Sequence, residues 1–142
     1  MPDAREEMKL FRHAGRAAFY SDELEIAETM QRKSLQLAQR SGSIIDQAYS
    51  LDALALTLRE LKKYNDARAV YSRLLETQAK LDNKFNLITT RLNVAYCFMM
   101  LEKYDSALDQ YQKSETLLSE IKTEASLKSS DAIMIDIAGE NS

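Results

Sequence analysis

Apolar residues return every third or fourth position along almost the whole chain, the spacing of one buried face on a helix. Met8, Phe11, Ala14, Gly15 and Ala18 predict a first helix from about Asp3 to Phe19, with Asp3 and Glu6 as its capping pair. Leu24, Ala27, Met30, Leu35 and Ala38 mark a second, starting near Ser21-Asp22 and ending at Ser41-Gly42. Ser43 with Asp46 opens a third, carried by Leu51, Leu54, Ala55, Leu58 and Leu61 and closed by Lys62-Lys63. Asn65 opens a fourth through Ala67, Val70, Tyr71, Leu74, Leu75 and Leu81, and Asp82-Asn83 breaks it. Ile88, Leu92, Val94, Ala95, Phe98 and Leu101 form a fifth. Asp105 caps a sixth through Ala107, Leu108, Tyr111, Leu117, Leu118 and Ile121. The pattern weakens after Lys122. Ser129-Ser130-Asp131 reads as the cap of a seventh helix, residues 129–138, whose Ile133, Met134, Ile135 and Ile137 pack over the end of the stack. Residues 139–142 read as a frayed tail.

The same pattern repeats at long range. Lys63-Tyr64-Asn65-Asp66-Ala67 returns forty positions later as Lys103-Tyr104-Asp105-Ser106-Ala107, and a second tyrosine follows seven positions after each first one, Tyr71 and Tyr111. The same step backward from Ala67 lands on Ala27. A fixed period with a small residue at a fixed place marks stacked supersecondary units. Three helix pairs follow, residues 4–42, 43–82 and 83–122, in one domain spanning 1–138. The fold class is therefore all-α, an α-α superhelix of three pairs plus a terminal capping or half-repeat helix.

Composition narrows the function. One proline and three glycines leave too little turn punctuation for strands. A net charge of -3 gives no general attraction to nucleic acid or to an anionic membrane. The longest apolar run, Val94 to Leu101, is far too short to cross a bilayer. The polar, acidic start is unlike a signal peptide, and a single cysteine forms no internal disulfide, which points to a cytoplasmic protein. The only histidine, His13, builds neither a multi-histidine metal site nor a nucleophilic triad. Cys97, between Tyr96 and Phe98, is most simply a small core hydrophobe. No glycine-rich phosphate loop or zinc spacing is present, so no cofactor is expected and the chain is not read as an enzyme.

Helix pairs of period forty, with a small residue early in each second helix, resemble the tetratricopeptide repeat in its longer variety. The alternation of large and small positions runs through Leu51, Leu54, Ala55, Leu58, Tyr64, Ala67 and Tyr71 and again through Val94, Ala95, Phe98, Tyr104, Ala107 and Tyr111. In the first repeat Gln31 stands where the second tyrosine is expected, and Arg91 replaces an aromatic in the third. The resemblance implies that the first helix of each pair lines a concave groove. That places Lys9, Arg12, His13, Arg16 and Phe19, then Tyr49, Asp52, Leu56 and Arg59, then Leu92, Asn93, Tyr96 and Met99, on the groove. The groove would be basic at its N-terminal end and aromatic or methionine-lined beyond, suited to a peptide or helix of another protein with an acidic and an apolar part. The chaperone-tail clamp of some family members does not match, because Arg16 and Ala53 fall on its asparagine positions and Asn93 on an arginine position. Two other readings stand beside the adaptor: a regulatory or sensing region of a larger signalling or transcription-regulating protein, and a scaffold that forms homodimers through the terminal helix.

Overall fold

The computed structural model describes residues 3–140, with the side chains of residues 133, 135–138 and 140 outside the description. Six helices follow in chain order: α1 (Ala4–Tyr20), α2 (Leu24–Ser41), α3 (Ile44–Glu60), α4 (Tyr64–Ala79), α5 (Lys84–Met100) and α6 (Tyr104–Glu140). Each packs on its neighbours in sequence, and α1 also touches α3. The result is an all-α superhelix of antiparallel pairs.

The forty-residue period extends to the ends of the helices. Each first helix of a pair starts at a capping side chain in the same register. Asp3 accepts from the Arg5 amide at 3.2 Å, Ser43 from Asp46 at 3.2 Å and Asn83 from Asn86 at 3.1 Å. These oxygens satisfy amides that have no partner within the first helical turn. Each first helix also ends alike. Asp22, Lys62 and Glu102 adopt positive φ of 61°, 61° and 58°. The next amide then reaches back five residues, Glu23 to Ala18, Lys63 to Leu58 and Lys103 to Phe98, at 2.8–2.9 Å. This is the Schellman closure, and it turns the chain straight into the second helix. The start expected at Ser21-Asp22 is corrected accordingly: Asp22 is the left-handed turn residue, and α2 begins at Leu24 without a side-chain cap.

The core is a column of small and large apolar residues. Leu51, Leu54, Ala55, Leu58, Ala67, Tyr71, Leu74, Val94 and Cys97 are all buried in it. Ala27, Ala67 and Ala107 are each almost wholly buried, as the register of small residues requires. Gly15 brings α1 closest to its partner: a Cβ there would lie 2.9 Å from Gln31 Cγ. Two buried hydrogen bonds stitch consecutive repeats, sharing one equivalent position, Ser50 and Thr90, with partners one helical turn apart in register. The Ser34 and Ser50 hydroxyls meet at 3.2 Å, and Thr90 donates to Gln78 Oε1 at 2.8 Å.

The separate seventh helix is not formed. α6 runs unbroken for 37 residues, through Ser129-Ser130-Asp131 and through the segment from Gly139 that reads as a tail. No proline interrupts residues 104–140, and the alanines, leucines, glutamates and lysines among them are strong helix formers, so an internal serine pair is not enough to stop propagation. Nor does the segment fold back over the stack. Lys84, at the start of α5, pairs with Glu120 at 3.5 Å and with Glu124. Beyond that point α5 offers nothing to pack on, and residues 125–140 extend about 24 Å at 1.5 Å per residue. Residues 122–132 are exposed, Leu127 and Met134 among the large apolar residues that face solvent. The expected contacts of Ile133, Ile135 and Ile137 lie outside the described side chains, as do residues 141–142.

Candidate functional site

The side chains on the face shared by α1, α3 and α5, which the resemblance assigns to the groove, fall into two clusters. At the N-terminal end, Arg12 donates to Asp46 Oδ1 at 2.9 Å and lies 4.6 Å from the centre of the Tyr49 ring. This pairing with a cation holds the Asp46 carboxyl below its usual range, against the opposing effect of burial. Arg16 has no carboxylate partner among the described residues, and its guanidinium sits 5.9 Å from the Tyr20 ring centre. Lys9 turns back to Glu6 at 3.3 Å, and His13 is exposed. Asp52 is open to solvent, yet surrounding protein reduces its hydration and raises its carboxyl above the usual range.

Around these residues is a cavity of about 260 Å³, walled by Phe19, Tyr20, Tyr49, Ala53 and Leu56 and edged by Arg12, Arg16 and Asp52. Its remaining wall is Gln31 of α2. That side chain is 4% exposed, and its Oε1 has no hydrogen-bond partner. Gln31 registers in the sequence as a departure from the repeat. Its part in a cavity is not visible there, because the cavity comes from what a missing ring leaves unfilled.

The second cluster lies between α3 and α5. Arg59 donates to Asn93 Oδ1 at 2.9 Å, pairs with Glu60 at 3.3 Å and stands 5.1 Å from the Tyr96 ring centre. Tyr96 meets Tyr64 edge to face at 6.3 Å between centroids. Burial and the adjacent Tyr96 raise the Tyr64 hydroxyl above the usual phenol range. Leu92, Tyr96 and Met99 are part-exposed on α5. Of the residues singled out from the sequence, Arg12, Arg16, Tyr49 and Asp52 come together at one end and Arg59, Asn93 and Tyr96 at the other. Lys9, His13 and Met99 join neither cluster. Sequence reasoning missed the pairing partners Asp46 and Glu60 and the α2 contribution of Gln31.

The chemistry on offer is recognition. Guanidinium groups over rings, a half-exposed aromatic row and buried amides make a surface that holds shape and charge. Among the described residues no group of three or more His, Cys, Asp or Glu side chains converges as a metal site, and no helix is long and apolar enough to cross a membrane. Burial pushes the Cys97 thiol up, away from the reactive thiolate.

Comparison with known proteins places this architecture. The tetratricopeptide-repeat family model matches residues 45–120. The TPR domain of Arabidopsis FLU superposes with a TM-score of 0.74 at 20% identity, covering 85% of this chain and 99% of that one. The apo form of RapI superposes at 0.76 with 14% identity, covering 86% of this chain and 45% of that one. Aspartyl phosphate phosphatase F from Bacillus subtilis gives 0.74 and 16%, covering 89% and 33%. The chain thus spans less than half the length of the latter two. A search of functionally curated proteins finds no match.

Proposed function

Because the chain belongs to the tetratricopeptide-repeat family, we propose that it is a non-enzymatic interaction module whose concave groove binds a peptide or helix of a partner protein. The observation that carries this reading is Arg16, a guanidinium without a carboxylate partner among the described residues at the mouth of an aromatic-walled cavity, with the exposed Tyr96 further along the same face. Arg12 and Arg59 are already hydrogen-bonded to Asp46 and Asn93, so they shape the groove and Arg16 is its open cation. A partner with an acidic residue near an apolar one meets both features. The test is affinity capture from host lysate with wild type and an Arg16→Glu/Tyr96→Ala variant that still melts cooperatively. A protein retained by wild type alone supports the groove; identical captures overturn it.

A second reading has one observation behind it. Tyr104, Leu108, Tyr111 and Leu118 are exposed on α6, on the face where a further helix of the stack would pack. That suits a role within a larger regulatory assembly, or a homodimer through α6. A solution mass that stays monomeric across a concentration series removes the homodimer.

A further inference from the structure

The cavity between α1, α2 and α3 has a counterpart one repeat later, and the two places are lined and filled differently. Forty positions on from Gln31 stands Tyr71, whose ring is wholly buried. The positions matching Arg16, Phe19 and Ala53 are Leu56, Arg59 and Asn93, and there Arg59 closes over to Asn93 at 2.9 Å. The second repeat therefore fills this place with its own tyrosine and bridges it. The first repeat has an amide too short to fill it, and Phe19 and Ala53 form no bridge.

We propose that this cavity is the anchor pocket of the groove, and that it takes one tyrosine side chain of the partner, with an acidic residue beside that tyrosine paired to Arg16. The proposal rests on the groove reading above and names the partner's anchor. A volume of about 260 Å³ lies below the roughly 300–1,000 Å³ of small-molecule pockets and is room for one large side chain. Phe19, Tyr49 and Leu56 offer apolar and aromatic contact to a ring. Gln31 selects against a purely apolar anchor, because its Oε1, buried and without a hydrogen-bond partner, would stay unpaired beside phenylalanine or leucine. A phenol hydroxyl can donate to that oxygen, which a phenylalanine ring cannot. A lysine or arginine anchor would face Arg12 and Arg16. An acidic one would enter beside Asp52. Gly15 leaves room for the stem of Gln31 to lie close against α1.

The test uses N-acetyl-tyrosinamide and N-acetyl-phenylalaninamide as probes, titrated into isotope-labelled protein and read by NMR. The tyrosine probe is expected to shift the Gln31 side-chain amide and the backbone amides of Phe19, Tyr49 and Ala53 saturably, the backbone signals being the ones compared with the variant below, and to bind about tenfold better than the phenylalanine probe, the difference one buried hydrogen bond makes. Gln31→Tyr fills the cavity from within, as Tyr71 does one repeat on, and should abolish the shifts while still melting cooperatively. It has room to fold, since Tyr71 belongs to the repeat with Ala55 where the first repeat has the smaller Gly15. If it does not fold, Ala53→Leu fills the cavity from α3 instead. No saturable shift in wild type, or the same shift in the filled variant, overturns the proposal. Display selection with random short peptides separates it from the groove reading. Tyrosine next to an acid, enriched on wild type and lost on Gln31→Tyr, supports the anchor. Peptides kept by Gln31→Tyr but lost by Arg16→Glu/Tyr96→Ala leave the groove standing and remove the anchor; peptides kept by both variants remove the two together.

Discussion

Tyr71 and Tyr111 hold the same position in consecutive repeats, one on α4 and one on α6. The first is 0% exposed and the second 42%. Gln78 and Leu118 are a second such pair: the polar residue is buried and hydrogen-bonded to Thr90, and the apolar one faces solvent. The helices differ in what lies beyond them. α4 is covered by α3 on one side and α5 on the other, whereas α6 packs on α5 and leaves its far face open. A repeat residue's energetic weight is therefore set by its neighbours in the stack and only loosely by its type, as expected where stability is a sum of nearest-neighbour interfaces.

The largest test of this difference is truncation of the two tyrosines. Tyr71→Ala empties a fully buried site and should cost about 3–5 kcal/mol, the range for large aromatic truncations in cores. Tyr111→Ala should cost a small fraction of that. Denaturant midpoints of the two variants measure it directly, and equal losses would mean that α6 is covered in solution by something absent from the isolated chain. The hydroxyl of Tyr71 contributes little to this cost, since it has no hydrogen-bond partner.

Ala67 and Ala107 sharpen the comparison from the other side. Both are buried, at 0% and 1%, because each faces the first helix of its own pair and that helix is present in both cases. Ala67→Leu and Ala107→Leu should therefore overpack alike, by about 1–3 kcal/mol each. Thermal melts that separate them widely would show that the register of the third pair differs from the second.

The ion pairs between helices divide in the same way. Arg12–Asp46 is mostly shielded, while Lys84 with Glu120 and Glu124 is more open. Pairing depresses the Asp46 carboxyl below its usual 3.8, so its stabilisation is present above that pH and is lost as pH falls through the lower folded value. Glu124 follows the same sign. Lys84 is raised above its usual 10.5 and contributes below that pH, losing its share as pH rises through the higher folded value. Asp46→Asn should lower the melting temperature at neutral pH and flatten its fall in acid. Lys84→Ala should do less, and its effect should vanish near 1 M salt, where screening acts within about 3 Å.

The fold was largely legible, and the site only in part, for reasons that particular residues make plain. Ala27, Ala67 and Ala107 could be placed because a period needs only sequence spacing. Asp3 and Ser43 read as caps, and Asn83, read as a break, is a cap in the same register. The unbroken α6 was missed because weak amphipathicity resembles an ending, although helix propensity alone sustains an exposed extension there. Arg12, Arg16, Tyr49 and Tyr96 could be placed on one shared face by register alone. Their pairings could not, since Arg12–Asp46 and Arg59–Asn93 depend on distances between helices that no local pattern encodes. Gln31 is the limiting case: the residue was visible as an exception, and the cavity it leaves exists only once three helices are assembled.

The smallest expected effect is the one that should not respect the comparison at all. Lys62 and Glu102 both sit at positive φ in the turn within a pair, one in the interior and one at the open end. A side chain there costs about 1–2 kcal/mol of local strain, and glycine removes it while adding entropy to the unfolded chain. Lys62→Gly and Glu102→Gly should each therefore stabilise by a few tenths to about 1 kcal/mol. The gain should be the same in both repeats, because the strain lies in one residue's backbone and not in its packing. Differential scanning calorimetry on the two variants reads it. A gain confined to Lys62→Gly would mean that the end turn is already relaxed in solution, and that the open face of α6 loosens the pair that carries it.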